Sequence, residues 1–220
     1  MEIGTLIREL GGGMWISAEI FILTLLFSLP LGLAVAFGRM SKIAPVRWIS
    51  KLYISIMRGT PLMLQLMVVY FGPYYLFGMR ISTGYRMTAV LIGFAINYAA
   101  YFAEIYRGGI EAIPVGQYEA AKVLGYSKGQ TFFRIVFPQV CKHILPAVTN
   151  EIITLVKDTS LARIIALQEI IWAGQSFLKG SQGISGAIWP MFFAAVYYLV
   201  FNGILTVLLG RLEKKLDYFR

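Results

Sequence analysis

The strongest constraint on this chain is the near-absence of charge from long stretches of it. Residues 14–38 carry one ionisable side chain, Glu19, and further apolar blocks occupy 52–77, 87–106, 143–173 and 184–209, of which 143–173 is the most polar. Blocks of this length suit a bilayer core, which a helix of about 20 apolar residues crosses. Backbone in hydrocarbon must satisfy its own N–H and C=O groups, so such segments are expected to be helices. The expectation is an all-α membrane protein with five transmembrane helices, forming a single domain over 1–220. Composition agrees, because 14% of residues are charged against about 25% in soluble domains.

The same pattern excludes several functions. The formal net charge is +9. In a soluble chain that would suggest nucleic acid as a partner, but here the cations lie between apolar blocks and membrane topology accounts for them. Arg39, Lys42, Arg47, Lys51, Arg107, Lys122, Lys128, Arg134, Lys142, Arg211, Lys214, Lys215 and Arg220 fall on one side of a five-span arrangement, and only Arg8, Arg80, Arg86 and Lys179 on the other. The positive-inside rule then puts the N-terminus outside and the C-terminus and 107–139 in the cytoplasm. A lone cysteine, Cys141, gives no internal disulfide framework. No Cys/His cluster has metal-ligand spacing, and neither a serine nucleophile elbow nor a phosphate-binding lysine loop occurs. No catalytic residue, metal or cofactor is therefore expected in this chain.

Taken in order, Ile3, Leu6, Ile7 and Leu10 have helical spacing and suggest an amphipathic surface helix ahead of the first span, rather than a secretory signal. Pro30 should kink that first span. Pro61, in Arg58-Gly59-Thr60-Pro61, is placed to open the second helix and leave Arg58 near the headgroups.

The longest run unlike a span is 107–139, RGGIEAIPVGQYEAAKVLGYSKGQTFFRIVFPQ. Pro114 and Gly116 interrupt any helix entering it. Residues 117–124 are good helix formers, with Glu119 early and Lys122 late as the dipole favours. Gly125 can turn the chain, and a second short helix is expected over about 128–136 until Pro138 stops it. Ala120 and Ala121 would form a small, flat patch that another protein's surface can approach.

Ionisable groups at membrane depth are costly and face a cavity or a partner. The fourth block holds Asn150, Glu151, Lys157, Asp158, Thr159 and Ser160. At about 1.5 Å per residue from His143, Glu151 lies ~12 Å in and Lys157 and Asp158 ~21 Å in. Asp158, Thr159 and Ser160 favour caps, so a break is expected near 158 with a new helix from about Leu161. Its free N–H groups and positive dipole end would suit a substrate carboxylate. The alternative is a Lys157–Asp158 pair that satisfies itself between helices. Residues 162–173 could then lie along the outer mouth. In the third span Asn97, Tyr101 and Glu104 share a face, either lining a cavity or joining helix to helix, and Tyr98 on the next face is expected to reach the same space.

Residues 119–138 resemble the EAA loop of ABC importer permeases: Glu119-Ala120-Ala121, then Gly125, Ile135 and Pro138, with Phe137 where leucine is usual. Residues 58–66, RGTPLMLQL, resemble a run of the polar amino acid importers within that group. So do Ala100-Tyr101 through Ile113-Pro114 and Gly116-Gln117, and Lys157-Asp158-Thr159-Ser160-Leu161; Glu111 stands where many members have a neutral polar residue. The resemblance covers roughly 50–172. It implies a type I importer permease of the bacterial inner membrane, working as a pair of identical or related subunits. Two ATPase subunits, which hold ATP and Mg, would dock through Glu119, Ala120, Ala121, Gly125 and Pro138, and an extracytoplasmic binding protein would deliver the amino acid. The substrate path would draw on Asn97, Tyr98, Tyr101, Glu104, Asn150, Glu151, Lys157, Asp158, Thr159 and Ser160, and the acidic groups, Glu169 among them, lean toward a basic substrate. The rival is a secondary transporter or channel working without ATP, for which the repeated half such proteins carry is missing. A membrane-embedded enzyme would need the catalytic groups whose absence is noted above.

Overall fold

The computed structural model describes residues 3–177 and 183–216, and every regular element among them is helical. In chain order these are α1 (Ile3–Arg39), α2 (Ala44–Gly59), α3 (Leu62–Phe77), α4 (Tyr85–Glu111), α5 (Val115–Val123), α6 (Lys128–Thr131), α7 (Phe137–Asp158), α8 (Ile170–Ser176) and α9 (Gly183–Leu216). Lys179 and Arg220, counted in the charge pattern above, lie outside the described residues.

The fold is assembled around α4. In its most apolar stretch 61% of residues are buried, against 33% for α1 and 6% for α9. Helices α1, α2, α3 and α7 all pack on it. Small side chains permit this: Ala89, Ala95, Ala99, Ala100 and Ala103 are buried along α4. Gly32 of α1 sits so close that an added Cβ would lie 2.8 Å from Phe102 Cβ and 3.0 Å from the Ala99 carbonyl. Without a hydrophobic drive between helices in lipid, close backbone approach of this kind supplies the dispersion contact that holds them. Ile20, Phe21, Leu66, Phe94, Tyr98, Phe102 and Leu155 fill the core between α1, α3, α4 and α7.

Four expectations change. Residues 3–13 are not a separate surface helix. They continue into α1, and Leu6 and Leu10 are buried against Ile170, Ala173 and Ala194. The second block is not one helix: Pro61 opens α3 as expected, but the residues before it form α2, which meets α3 at Thr60-Pro61 with a 107° bend. Pro138 does not stop a helix: α6 runs through a π turn, Phe132–Val136, straight into α7. A π turn widens the hydrogen-bonded ring and tolerates a missing donor, so the proline sits in the first turn of α7 at little cost. Finally, the break at Asp158 is present, but it opens into a 3-10 segment, Thr159–Ile165, and the next α-helix starts at Ile170 rather than near Leu161. Ala166 turns the chain with φ of 58°.

Among the described residues, three helices are long and apolar enough to cross a membrane, over Gly4–Arg39, Tyr85–Glu111 and Ile188–Lys215. The bent α2–α3 pair makes a fourth if taken as one span. Helix α7, which carries Lys142, Glu151, Lys157 and Asp158, is not among them.

Candidate functional site

Two regions concentrate the residues singled out from sequence. The first is the turn between α5 and α6. Pro114 precedes α5 with extended backbone and so starts it. Gly125, at φ of 76°, ends it: its N–H bonds the Lys122 carbonyl at 3.1 Å and the Tyr126 N–H bonds the Ala121 carbonyl at 3.0 Å. This is the paired closure that needs a left-handed residue, which glycine supplies without strain. Ser127 and Gln130 then form a reciprocal capping box on α6. Hydrophobic side chains crowd the outside of this turn: Val123 is 86% exposed, Leu124 72% and Phe133 70%. Glu119 and Ala120 are exposed, and among the described residues Glu119 has neither an ion pair nor a capping role. Ala121 is fully buried, so the two alanines do not form one outward patch; the exposed apolar side chains at this turn are Val123, Leu124 and Phe133. Gln139 Nε2 reaches Gln117 Oε1 at 3.3 Å and the Ile135 carbonyl at 2.9 Å, tying α5 to α7. Pro138 is half-buried at that junction.

The second region is the seam where α2, α3 and α7 meet α4. Asn97 is buried, and its Nδ2 donates to the Met57 carbonyl at 3.1 Å and to Gln65 Oε1 at 3.0 Å. Gln65 Nε2 donates in turn to the carbonyls of Met57 and Thr60 and to Thr60 Oγ1, at 2.8–3.1 Å. The two amides thus supply donors to carbonyls that the α2–α3 break leaves without helical partners. Tyr53 donates to the Ile96 carbonyl close by. Of the two readings of Asn97, helix joining matches this geometry.

Beside the clasp, Tyr98 donates to Asp158 Oδ2 at 2.7 Å, joining α4 to the end of α7. The Tyr98 and Tyr101 rings lie 6.1 Å apart, and the Arg58 guanidinium carbon sits 5.3 Å from the centre of Tyr101. Arg58 stands at the break in the α2–α3 pair, over an aromatic face. Glu151 is half-buried on α7, Asn150 and Lys157 are exposed, Ser160 is half-buried, and buried Thr159 donates to the Val156 carbonyl at 2.7 Å. Lys157 and Asp158 do not form an ion pair. Glu104 is held by Arg107 at 2.6 Å, with Arg39 3.8 Å away. A further bond from Arg107 reaches Glu111.

The expected anion-binding helix start is not open. Glu169, fully buried, caps α8 itself, accepting from the N–H groups of Ile171 and Trp172 at 2.8 Å each. Two residues escaped the sequence reading: Gln65, which completes the clasp, and Arg58 as part of the seam. Their signal was the polar pair flanking Thr60-Pro61 in an otherwise apolar block. Among the described residues no group of His, Cys, Asp and Glu is arranged to hold a metal.

Comparison with known proteins places this geometry. Residues 28–218 match the family described as binding-protein-dependent transport system inner membrane component. The L-cystine transport system permease protein TcyB of Bacillus subtilis (strain 168) is 33% identical, over 96% of this chain and 87% of that protein. The arginine transport system permease protein ArtQ of the same organism is 35% identical, over 93% and 90%. A solved structure of an amino acid ABC transporter with histidines superposes with a TM-score of 0.86 at 30% identity, covering 97% of this chain and 96% of that one. An inward-facing structure of the MetNI methionine ABC transporter, at 17% identity and a TM-score of 0.70, shares the fold.

Proposed function

This chain belongs to the family of binding-protein-dependent transport system inner membrane components, as the permease subunit of an amino acid ABC transporter with the type I fold, and from that premise we propose how it works. It is an integral membrane protein. In the proposed arrangement it crosses the bacterial inner membrane five times, α7 and the bent α2–α3 pair each counting as one crossing. The N-terminus is outside, and the α5–α6 turn and the C-terminus are in the cytoplasm. The cations Arg39, Lys42, Arg47, Lys51, Lys122, Lys128 and Arg134 on that side support the orientation.

Two such permeases, alike or related, pair over two ATPase subunits that hold ATP and Mg, and an extracytoplasmic binding protein delivers the amino acid. Hydrolysis is left to the partner. Closure of the ATPase pair would push the α5–α6 turn, and α7 would carry the motion to the seam around Asp158 and Glu151. The substrate is a polar amino acid, and those two carboxylates favour a cationic one. The names of relatives include both L-cystine and arginine systems, so the fold alone does not select between them.

The observation that carries this reading is the exposed apolar surface around unpaired Glu119, standing on a turn closed by its own hydrogen bonds. A surface of that character on a rigid support marks a protein contact. Purification of the chain from its native membrane tests it. A stoichiometric ATPase subunit should accompany it, and transport by the purified chain without ATP would overturn the reading.

A further inference from the structure

Helix α2 is amphipathic and largely uncovered. Ser50, Tyr53, Ile54 and Met57, at helical spacing, turn inward, and Tyr53, Ile54 and Met57 pack with Ala36 of α1 and with Ala100 and Ala103 of α4. The rest of the helix faces out: Trp48 is 69% exposed and Ile49 67%, with Leu52 and Ile56 beyond them. On that outer side Trp48, Lys51, Leu52 and Ser55 line an open hollow of about 380 Å³. Its wall is apolar, and its polar groups are a lysine ammonium and a hydroxyl one turn further along. The surroundings are cationic. Arg39, Lys42, Arg47 and Lys51 fall within one short stretch, and no Asp or Glu occurs between Glu19 and Glu104. Among the described residues Lys42, Arg47 and Lys51 make no ion pair. Arg47 donates to the Ser41 carbonyl at 3.2 Å, which draws its charge toward the start of α2. That start has no side-chain cap and no acidic residue in its first turn, so its positive dipole end adds to the field. An apolar hollow under a field of one sign fits a molecule with an anionic head and a hydrocarbon tail. The competing occupant is a second copy of this chain. Two-fold pairing through this face would set Lys42, Arg47 and Lys51 near their own images, and neither α2 nor the loop before it carries a carboxylate to answer them.

We propose that this face of α2 binds an anionic phospholipid of the cytoplasmic leaflet, its phosphate met by Lys51 and Ser55 and its acyl chain laid against Trp48 and Leu52. Lys42 and Arg47 add attraction from the loop side. The lysine stem lies along the hollow while its ammonium reaches the headgroup, and tryptophan is a residue type that favours headgroup depth. The choice of leaflet rests on the orientation proposed above; the binding itself does not.

The test uses the intact permease–ATPase complex in detergent, titrated with phosphatidylglycerol or with phosphatidylcholine of the same acyl chains, and native mass spectrometry to count the lipids bound. Each cation beside an anionic lipid is worth about fivefold in affinity. The wild-type complex should therefore hold phosphatidylglycerol at least that much more tightly than phosphatidylcholine. Lys51→Gln should weaken phosphatidylglycerol by about the same factor and leave phosphatidylcholine unchanged. Trp48→Ala, which removes the apolar wall, should weaken both lipids alike. Arg80→Gln, at a cation outside this cluster, should change neither. Equal binding of the two lipids by the wild type, or an unchanged preference in Lys51→Gln, would overturn the proposal. So would displacement of phosphatidylglycerol by millimolar inorganic phosphate, which would mark a site for free anions only. If Lys51→Gln or Trp48→Ala splits the permease pair in the same spectra while the lipid preference stays, the face belongs to a second copy and the lipid assignment falls. Retention of the ATPase subunit in those spectra reports on the transporter reading separately.

Discussion

The α5–α6 turn and the Arg58–Asp158 seam are opposites in how they handle their polar and apolar groups. The turn is complete in its backbone and incomplete in its surface. Its hydrogen bonds close locally through Gly125 and Ser127, yet Val123, Leu124 and Phe133 remain in the open. The seam is the reverse. Its apolar surface is buried, Leu66 packing against Gly93 and the Phe94 and Tyr98 rings stacked with centroids 6.3 Å apart, while charged ends are left over. A surface that lacks apolar cover asks for a protein, and a packed interior with leftover charge asks for a small charged molecule. The difference supports the proposed division between a coupling turn and a passage seam.

Four substitutions sharpen that contrast. The largest effect is expected from Gly125→Pro, because proline cannot adopt φ of 76° and removes the N–H that bonds Lys122. Together with Glu119→Lys it should abolish ATP-driven uptake in reconstituted vesicles while the seam, and so the folded yield, stays intact. Normal uptake by both variants would refute the docking role. An intermediate effect is expected from Asn97→Ala, which strips Gln65 and Met57 of a buried donor. Stability should fall by about 1–3 kcal/mol, read as an earlier unfolding midpoint in detergent, with ATPase co-purification unchanged below that midpoint. Loss of the ATPase without loss of stability would place Asn97 in the wrong region. The smallest is Ser127→Ala. It removes half of an exposed capping box and should cost about 1 kcal/mol locally, visible as faster amide exchange over α6 and not at the seam.

The sequence carried the elements and faces well, and their pairings poorly. Spacing on α4 put Asn97, Tyr101 and Glu104 on one face, but periodicity says nothing of what stands opposite, and the three meet different partners: Met57 and Gln65, Arg58, and Arg107. The contacts that define the seam join Tyr98 to Asp158 and Asn97 to Met57, from helices far apart in the chain. Glycine at 125 was legible because a left-handed turn has few other occupants. Ala166 adopts a comparable conformation with no residue-type signal at all. Pro138 misled because the stop rule assumes α geometry, and the π turn before it relaxes that assumption. The helix after the break was placed too early because Asp158, Thr159 and Ser160 each look like a cap. The residue that serves is Glu169, with its carboxylate on two N–H groups.

Helix α6, the π turn and α7 follow one another without a gap from Lys128 to Asp158. An uninterrupted helical shaft fixes the angular phase between its ends as well as their separation. One residue gained or lost between Phe132 and Glu151 would rotate the far carboxylates by about 100° about the axis, turning them away from Arg58 with every local bond preserved. That stretch should therefore tolerate changes of residue type far better than changes of length.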